Sequence, residues 1–528
     1  MNVSQRLAAR AQTPQEPGVR ASGIDADPES THVETHPTAV SRQVRSATRV
    51  TWVLVVGLIG LYLVVFVVCA AGRLARPAEE FVYGESWLLD DARRVADGLP
   101  LYAPVDRLPL MHTAYTPVYY VLVGELERVL GDSGYTAGRW VSLIATALGT
   151  LALVWSVRSL TGHSWFGLLA GGFFLTQNLT VLLWAPLHRA DALALAFTLI
   201  GLALATAGRS LPAALVFALA VLTKQTFFVA PLAVAIALWP RWREVVRFGG
   251  VFGGVVLVSV GVAQWLTDGW FLWHTIIGNS NEAEFDTFAQ LMGGFMQFNG
   301  LPVVAAAASL ALPGSRPERL WRLYFLGTLA TLPSIAKIGA SSNYWLEASA
   351  AIAVLLALAS HRLAAWAEAR LVGPVVVAGA LLIAMPGYQA SAREAIDSLR
   401  EAAAPTGYMT LVSDVGIAPF RVERGFVQRI AAEPGEVLTD NPGLAVAAGK
   451  PIVYEFQIFQ LLHVEGRWSQ APILEAIAAK RFGLVALMHP LDGPAEGTRW
   501  TGAIRDALLK TYVPAGQQSG FWLYRPAR

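Results

Sequence analysis

The sequence contains few charged side chains and one cysteine. Asp, Glu, Lys and Arg make up 15% of its 528 residues, whereas soluble domains average about 25%. Such a chain cannot cover a water-facing surface of its own size, which excludes a soluble enzyme and a disordered chain. The charges balance to a net +2, which argues against a nucleic-acid partner. Cys69 stands alone, so no intramolecular disulfide can form.

Hydrophobic residues are abundant and fall into long runs. Residues 51–71 carry no charge over 21 positions, which is enough to cross a hydrocarbon core of ~30 Å. Ten further apolar segments follow, at 140–157, 164–186, 191–207, 210–223, 226–239, 248–267, 301–313, 323–336, 346–360 and 371–387. The sequence therefore predicts a polytopic α-helical membrane protein with about eleven transmembrane helices.

Both ends of the chain differ from this apolar body. Residues 1–49 are polar without apolar periodicity, which predicts a disordered cytoplasmic tail. Residues 389–528 alternate short apolar runs, such as PIVYEF (451–456) and LVALMH (484–489), with a capped amphipathic helix over 469–483. This pattern predicts a small extracytoplasmic α/β domain over 389–528, after a transmembrane domain over 50–388.

The topology depends on the segment 115–131. Its apolar stretch before the first charged residue is too short to cross a membrane, so the segment is predicted to be a helix in the membrane interface. With this helix in the interface, the positive-inside rule places most arginines in cytoplasmic loops. These are Arg158, Arg209, Arg241, Arg243, Arg247, Arg316, Arg319, Arg322, Arg362 and Arg370. The N-terminus is then cytoplasmic, and the first extracytoplasmic loop is 72–138.

This topology gathers polar residues at the outer boundary, where ionisable groups beside apolar spans usually line a cavity or pair. They are Glu85, Asp90, Asp91, His112, Tyr115, Arg189, Asp191, Lys224, Gln225, His274, Asn279, Asn281, Glu282, Glu284, Asp286, Lys337, Asn343, Tyr344 and Glu347. Carboxylates beside a few cations suit an anionic, lipid-linked substrate.

Each of these residues also has a simpler explanation. A single Lys or Arg at a helix end is often a snorkelling anchor, and the tyrosines are often an aromatic belt. Asp90 and Asp91 are expected to be helix-surface charges, and Asp191 caps a helix equally well. His112 and His274 could join Glu85 in a divalent metal site, although no tight ligand spacing supports this.

Several segments resemble bacterial membrane glycosyltransferases of the GT-C fold, those related to aminoarabinose transferase and to protein mannosyltransferases. The resemblance covers nearly the whole membrane region, in order. The similar segments are FVYGESWLLDDARRVADGLPLY (81–102), MHTAYTPVYYVL (111–122), GRWVSL (138–143), HRADALAL (188–195), LTKQTF (222–227) and SNYWLE (342–347). That family presents an Asp-Glu or similar acidic pair in its first outer loop. Glu85 matches the Glu position here, while Gly84 replaces the Asp.

The resemblance implies an enzyme that moves a sugar from a polyprenyl-phosphate carrier to a glycan, lipid or protein acceptor outside the cytoplasm, with inversion. A carboxylate can take the proton of the acceptor hydroxyl, and cations can stabilise the departing phosphate. We therefore expect Glu85 to be the general base, with Asp191 as a second acidic group. Among the candidate substrate-binding residues, Arg189, Lys224 and Lys337 would contact phosphate. The others are Tyr115 and Tyr119, which would pack the lipid or sugar, and His112, Asn343 and Glu347.

The sequence shows no Walker A loop and no GxGxxG after a strand, which favours a lipid-linked donor over a nucleotide sugar. It also identifies no certain cofactor. Two alternatives stay open. A transporter or flippase of lipid-linked sugars also needs charged groups in a cavity, although no internal repeat is visible. A membrane protein that binds envelope glycans without catalysis would tolerate substitution in the first outer loop.

Overall fold

The structure is a computed structural model, and it describes residues 39–177, 179–279, 282–337, 339–366, 368–412, 419–493 and 500–528. Most of the predicted disordered tail, residues 1–38, lies outside this part of the chain. Residues 39–49, however, belong to the first helix, Ala39–Leu74. The prediction of a tail up to 49 was wrong there because no glycine or proline separates these residues from the apolar run.

The body of the protein consists of helices. They are α1 (Ala39–Leu74), α2 (Glu85–Ala96), α3 (Val118–Leu130), α4 (Thr136–Thr161), α5 (Ser164–Thr176), α6 (Leu179–Trp184), α7 (Asp191–Thr206), α8 (Ser210–Thr223), α9 (Val229–Leu238), α10 (Trp242–Leu266), α11 (Trp270–Leu272), α12 (Phe285–Ser309), α13 (Arg316–Thr331), α14 (Leu346–Ala364) and α15 (Val372–Ala403). A π-helical turn covers Trp273–Ile277, and two 3₁₀ turns cover Leu332–Ala336 and Ser342–Trp345.

Among the described residues, six helices are long and apolar enough to cross a membrane: α1, α4, α10, α12, α14 with the turn before it, and α15. Four shorter apolar helices, α5, α7, α8 and α9, have 10–17 residues. The predicted span at 164–186 is divided between α5 and α6, and the predicted interfacial segment contains the 13-residue helix α3. The total of about eleven spans stays a prediction.

The centre of the membrane body is helix α14. It is buried from Ala348 through Ser360, and eight of these thirteen positions are alanine or serine. Small side chains allow neighbouring helices to approach closely. Helix α10, in contrast, lies at the periphery, where Phe248 is its one buried side chain among the described residues.

The C-terminal part forms a mixed α/β region. A two-stranded antiparallel sheet pairs β1 (Tyr408–Leu411) with β2 (Phe420–Glu423), and a second sheet has the order β3-β4-β6-β5. Its strands are β3 (Glu436–Thr439), β4 (Phe482–Leu487), β5 (Tyr512–Gln518) and β6 (Phe521–Pro526). The flanking helices are α16 (Arg424–Ala431), α17 (Pro442–Ala447), α18 (Phe456–Val464), α19 (Ala471–Ala478) and α20 (Gly502–Thr511).

One boundary differs from the sequence prediction. Helix α15 continues to Ala403, well beyond the predicted domain start at 389, because its apolar half is followed by a helix-favouring polar half without interruption. The run 451–456 is not a strand of either sheet. Instead, the Leu110 N–H donates to the Val453 carbonyl (2.9 Å), and the Glu455 N–H donates to the Leu110 carbonyl (2.9 Å).

This pairing joins the segment 72–138 to the C-terminal region. Helix α2 contributes to the same contact, because Trp87, Leu89 and neighbouring side chains share an apolar cluster with Val446 and Ile452. The segment 72–138 is therefore held between the helical body and the C-terminal sheets.

Candidate functional site

A cavity of about 580 Å³ lies where these parts meet. One wall comes from the start of α2 and the residues before it, and another from the residues that follow α6 and α8. The C-terminal region completes the wall with Val412, Pro419, Glu455, Gln457 and Ile458. Side chains separated by hundreds of residues thus face one space.

Three cations, Arg189, Lys224 and Lys337, line this cavity. Arg189 precedes α7, Lys224 follows the last residue of α8, and Lys337 follows the 3₁₀ turn after α13. The sequence predicted all three at the outer boundary, and the structure brings them together. We call them the cation cluster.

Asp191 holds two members of the cation cluster. Its Oδ1 accepts from the Lys224 ammonium (2.6 Å) and from the Asn343 amide (2.7 Å). Its Oδ2 lies 3.7 Å from the Arg189 Nε. The Asp191 side chain is fully buried, so it orients cations rather than presenting a free carboxylate to the cavity.

Tyr115 and Tyr344 surround the Lys224 ammonium. The Lys224 Nζ lies 4.6 Å from the centroid of the Tyr115 ring and 5.9 Å from that of Tyr344. The Tyr115 hydroxyl also accepts from the Arg189 guanidinium (3.2 Å). Tyr119, in contrast, is fully buried beside His188 and does not line the cavity, so its placement differs from the predicted lipid or sugar contact.

Lys337 has no carboxylate within ion-pair distance among the described residues. Burial and the nearby charge of Lys224 lower the pKa of Lys337 to about 8. Asp191 is the one carboxylate in the described part of the chain that pairs with the cluster. Three cations therefore face one carboxylate, and an anion entering the cavity would offset the surplus positive charge.

Gly84 borders the same space in a left-handed conformation, with φ of 98°. A Cβ atom built on this glycine would lie 2.5 Å from the Arg189 Nη1. The place that a side chain at position 84 would take is thus filled by the guanidinium of Arg189. Glycine at this position, where the resemblance implies an acidic residue, therefore leaves room for the Arg189 guanidinium.

Glu85 does not reach the cavity, which corrects the expected placement of the predicted base. Its Oε1 accepts from the His188 N–H (2.7 Å), and its Oε2 accepts from the Phe81 N–H (2.9 Å). The Arg139 guanidinium donates to both oxygens at 3.2 Å. Both side chains are fully buried. Burial alone would raise the pKa of Glu85, but Arg139 and the two backbone donors outweigh it and hold the pKa below its usual range.

Arg139, which the sequence analysis did not single out, extends this network. Its guanidinium also donates to the carbonyls of Arg73 (2.7 Å), Arg76 (3.1 Å) and Glu79 (2.6 Å). The pair therefore ties the residues before α2 to α4 and, through His188, to the backbone next to Arg189. The available signal was an arginine at the start of an apolar helix, in GRWVSL.

Two carboxyl groups do line the cavity. Of its described lining residues, only Asp91 and Glu455 are acidic, and we call them the acid pair. Asp91 was expected on a helix surface with Asp90, and this was wrong, because the two are 2% and 6% exposed. Glu455 was missed because it belongs to the segment 451–456, which the sequence analysis considered only as a short apolar run.

Consecutive residues of the segment 72–138 hold the acid pair. The Thr113 hydroxyl donates to the Asp91 Oδ1 (2.9 Å), and the His112 N–H donates to the Glu455 Oε2 (2.8 Å). Burial raises the pKa of Asp91 to about 8, against the lowering effect of Arg94. Burial also raises the pKa of Glu455 well above its usual range, and the charge of Asp91 contributes to the increase.

The two histidines of the predicted metal site contact each other rather than Glu85. The His112 Nε2 lies 2.8 Å from the His274 carbonyl, and the His274 Nδ1 accepts from the Thr113 N–H (3.1 Å). Burial lowers the pKa of His112 to about 3 and that of His274 to about 4. No three His, Cys, Asp or Glu side chains converge on a metal-binding geometry in the described ranges.

A second chamber of about 320 Å³ adjoins the cation cluster. It shares Lys224, Lys337 and Asn343 with the main cavity. Glu347 lines this chamber and its Oε1 accepts from the Tyr324 hydroxyl (3.1 Å). The other walls include Phe227, Phe228, Ala330 and Thr331. Phe228 is 48% exposed, so the apolar side of this chamber reaches the outside of the helix bundle.

The fold is that of ArnT, an aminoarabinose transferase of the GT-C type. The crystal structure of ArnT from Cupriavidus metallidurans bound to undecaprenyl phosphate matches with a TM-score of 0.57 and 13% sequence identity, over 90% of this chain and 97% of that one. The apo form of the same protein matches with a TM-score of 0.56 and 13% identity, over the same shares. No protein-family model and no curated protein matches the chain.

Proposed function

We propose that the protein is a membrane glycosyltransferase that moves a sugar from a polyprenyl-phosphate donor to a cell-envelope acceptor. The observation that carries this proposal is the cation cluster, in which Arg189, Lys224 and Lys337 face one cavity with Asp191 as the carboxylate that pairs with it among the described residues. A phosphate group supplies the negative charge that this arrangement lacks. The ArnT structure of the same fold holds undecaprenyl phosphate, which supports a lipid phosphate as the ligand.

The two chambers suit the two parts of such a donor. The phosphate would lie on the cation cluster, where Lys224 and Lys337 line both chambers. The prenyl chain would leave along Phe227 and Phe228, since Phe228 is 48% exposed and directly precedes the apolar helix α9. The sugar would then extend into the larger cavity, next to Tyr115 and Asn343.

The proposed reaction is a single displacement with inversion. The acceptor oxygen forms a bond to the anomeric carbon while the bond from that carbon to the phosphate oxygen breaks. The electron pair of the broken bond leaves with the lipid phosphate, where fixed cations stabilise it without proton transfer. The proton of the acceptor hydroxyl passes to a carboxylate of the site. Glu85 and Asp191 act in this scheme by positioning, Glu85 through Arg139 and Asp191 through Lys224.

The proposed location is the plasma (inner) membrane, with a cytoplasmic N-terminus and an extracytoplasmic C-terminal domain. The arginine distribution supports this orientation, since loops rich in arginine stay cytoplasmic. The cation cluster and the C-terminal residues that complete its cavity then lie on the outer side.

The test is binding of undecaprenyl phosphate by the purified full-length chain, followed by transfer assays in membranes. Lys224→Met should weaken binding by about 10-fold or more, as expected for loss of a buried charged hydrogen bond. Lys510→Met, at an exposed position of α20, is the matched control and should bind as wild type. Wild-type protein that does not bind the lipid phosphate would refute the proposal. Binding without transfer from any polyprenyl-phosphate sugar would favour a transporter.

A further inference from the structure

The carboxyl groups of the site divide into closed and open ones. Glu85 and Asp191 are held by cations, amides and backbone donors, and neither lines the main cavity; Asp191 lines only the adjoining chamber, which the proposed function assigns to the donor. Asp91 and Glu455 are the acidic side chains among the described lining residues of that cavity. A group that accepts a proton from a bound hydroxyl must lie within hydrogen-bond reach of it, which the closed pair cannot do without breaking buried ion pairs.

Gly84 strengthens this division. A side chain at position 84 would point at Arg189. Because the residue is glycine, the guanidinium of Arg189 occupies that space. The start of α2 therefore presents a cation to the cavity instead of a carboxylate. A proton acceptor has to come from elsewhere on the wall.

Two buried polar atoms, one on the cavity wall and one next to Asp91, lack a hydrogen-bond partner in the described part of the chain. One is the Gln225 Oε1 on the cavity wall. The Gln225 Nε2 donates to the carbonyls of Ala114 and Thr275 at 2.9 Å, which fixes the orientation of the amide. The other is the Arg94 Nη1, 3.7 Å from the Asp91 Oδ1. A fixed, unpaired acceptor on the wall suits a ligand that carries hydroxyl groups, since unsatisfied buried polar atoms are costly.

We infer that Asp91 and Glu455 form the acceptor subsite, and that Asp91 takes the proton of the acceptor hydroxyl. The inference rests on the proposed function. The acceptor oxygen bonds to the anomeric carbon, its proton moves to the Asp91 carboxylate, and the lipid phosphate leaves with the electron pair. Glu455 and the Gln225 amide orient the acceptor, so the C-terminal region contributes directly to acceptor recognition.

The titration of Asp91 gives this role a pH signature. Its carboxyl group faces Arg94 and Asp90 on its own helix and Thr113, Tyr102, Tyr120 and Glu455 on other segments. Burial raises its pKa to about 8, so the proton-accepting form increases as the pH rises toward that value. The transfer rate with saturating donor should rise with it.

The experiment uses the full-length chain in membranes of a host that lacks its own copy, supplied with a panel of labelled polyprenyl-phosphate sugars. Asp91→Asn should reduce transfer to the envelope fraction by about 100-fold or more. The same variant, purified, should bind undecaprenyl phosphate within about twofold of wild type, since neutral changes away from the cation cluster leave phosphate contacts intact. Asp90→Asn is the matched control, because Asp90 is an adjacent buried carboxyl outside the cavity lining.

A second variant covers the case in which Asp91→Asn does not fold. Glu455→Gln should lower transfer by about 10-fold with lipid-phosphate binding unchanged, the effect expected for one weakened charged or buried hydrogen bond. Asp91→Asn or Glu455→Gln with wild-type transfer overturns the acceptor subsite while the proposed function stands. Equal losses of binding and transfer overturn it as well, because they place these residues on the donor. Wild-type protein without binding or transfer overturns both.

Discussion

Replacement of Glu85 by glutamine separates a positioning role from a chemical one. The substitution keeps the size of the side chain and removes its charge. Arg139, fully buried and 3.2 Å away, is then left without a counter-charge. If Glu85 acts through this pair, the variant should lose stability first, and transfer should fall with the loss of folded protein.

The magnitude follows from the four hydrogen bonds that Glu85 accepts. The amide oxygen of glutamine can keep the two bonds at one position, for example those from the His188 N–H and the Arg139 Nε. Its NH₂ group then faces two donors, Phe81 N–H and the Arg139 Nη2. Removing one partner of a buried ion pair costs about 3–5 kcal/mol. Arg139 keeps its three carbonyl acceptors, so we expect the lower limit, about 3 kcal/mol.

The assay measures the free energy of unfolding in detergent for the purified wild-type chain, for Glu85→Gln, for Arg139→Met and for the double variant. The double variant should be more stable than the sum of the single losses by about 1–3 kcal/mol, because it leaves no unpaired buried charge. Transfer per folded molecule by Glu85→Gln should stay within about 100-fold of wild type, since a misplaced Arg189 weakens the site without removing a reacting group.

The reasoning would be refuted by the opposite pattern. A Glu85→Gln protein with wild-type stability and transfer reduced about 1,000-fold would make Glu85 the proton acceptor after all, since general base catalysis contributes about 10²–10⁴-fold. Additive single losses in the double variant would show that the Arg139 pair does not carry the effect.

Three further predictions concern the cation cluster. Because the pKa of Lys337 is lowered to about 8, its charge is present below that pH, and undecaprenyl-phosphate binding should weaken as the pH rises through 8; Lys337→Arg should abolish this dependence. Gly84→Asp should displace the Arg189 guanidinium and strain a left-handed backbone by about 1 kcal/mol. The affinity for lipid phosphate should therefore fall, and an unchanged affinity would contradict the assigned position of Arg189. Tyr115→Phe removes the hydroxyl that accepts from Arg189 but keeps the ring over Lys224, and should weaken binding about threefold, less than Tyr115→Leu, which also removes a cation–π contact of about 1–2 kcal/mol.

Much of the fold could be predicted from the sequence because a membrane-spanning helix requires a long run of apolar residues. Apolar runs such as 51–71 and 140–157 became the long helices α1 and α4, and the capped pattern over 469–483 contains helix α19. Boundaries were less accurate where the composition changes within one helix. The polar residues 39–49 and 389–403 continue α1 and α15, since helix propensity persists past the end of an apolar run.

The site was predictable in its cations and not in its carboxylates. Arg189, Lys224 and Lys337 each end an apolar segment at the same predicted boundary, and the structure joins them. Which carboxylate is closed and which is open depends on contacts between distant segments. Glu85 is closed by Arg139, and Glu455 of the acid pair is held by the His112 N–H, 343 positions away. Contacts between segments so far apart cannot be predicted from the pattern of a single sequence.

The backbone pairing of Leu110 with Val453 and Glu455 also has a consequence for biosynthesis. The membrane helices can be inserted one after another as the chain emerges, but the cavity wall also needs residues between 412 and 458, which are made after all of these helices. The nascent chain therefore passes most of its synthesis with an incomplete cavity. Assembly of the cavity is delayed until residues 412–458 have folded back onto the segment 72–138, so a ribosome that stalls before them would release inserted helices with an open cavity.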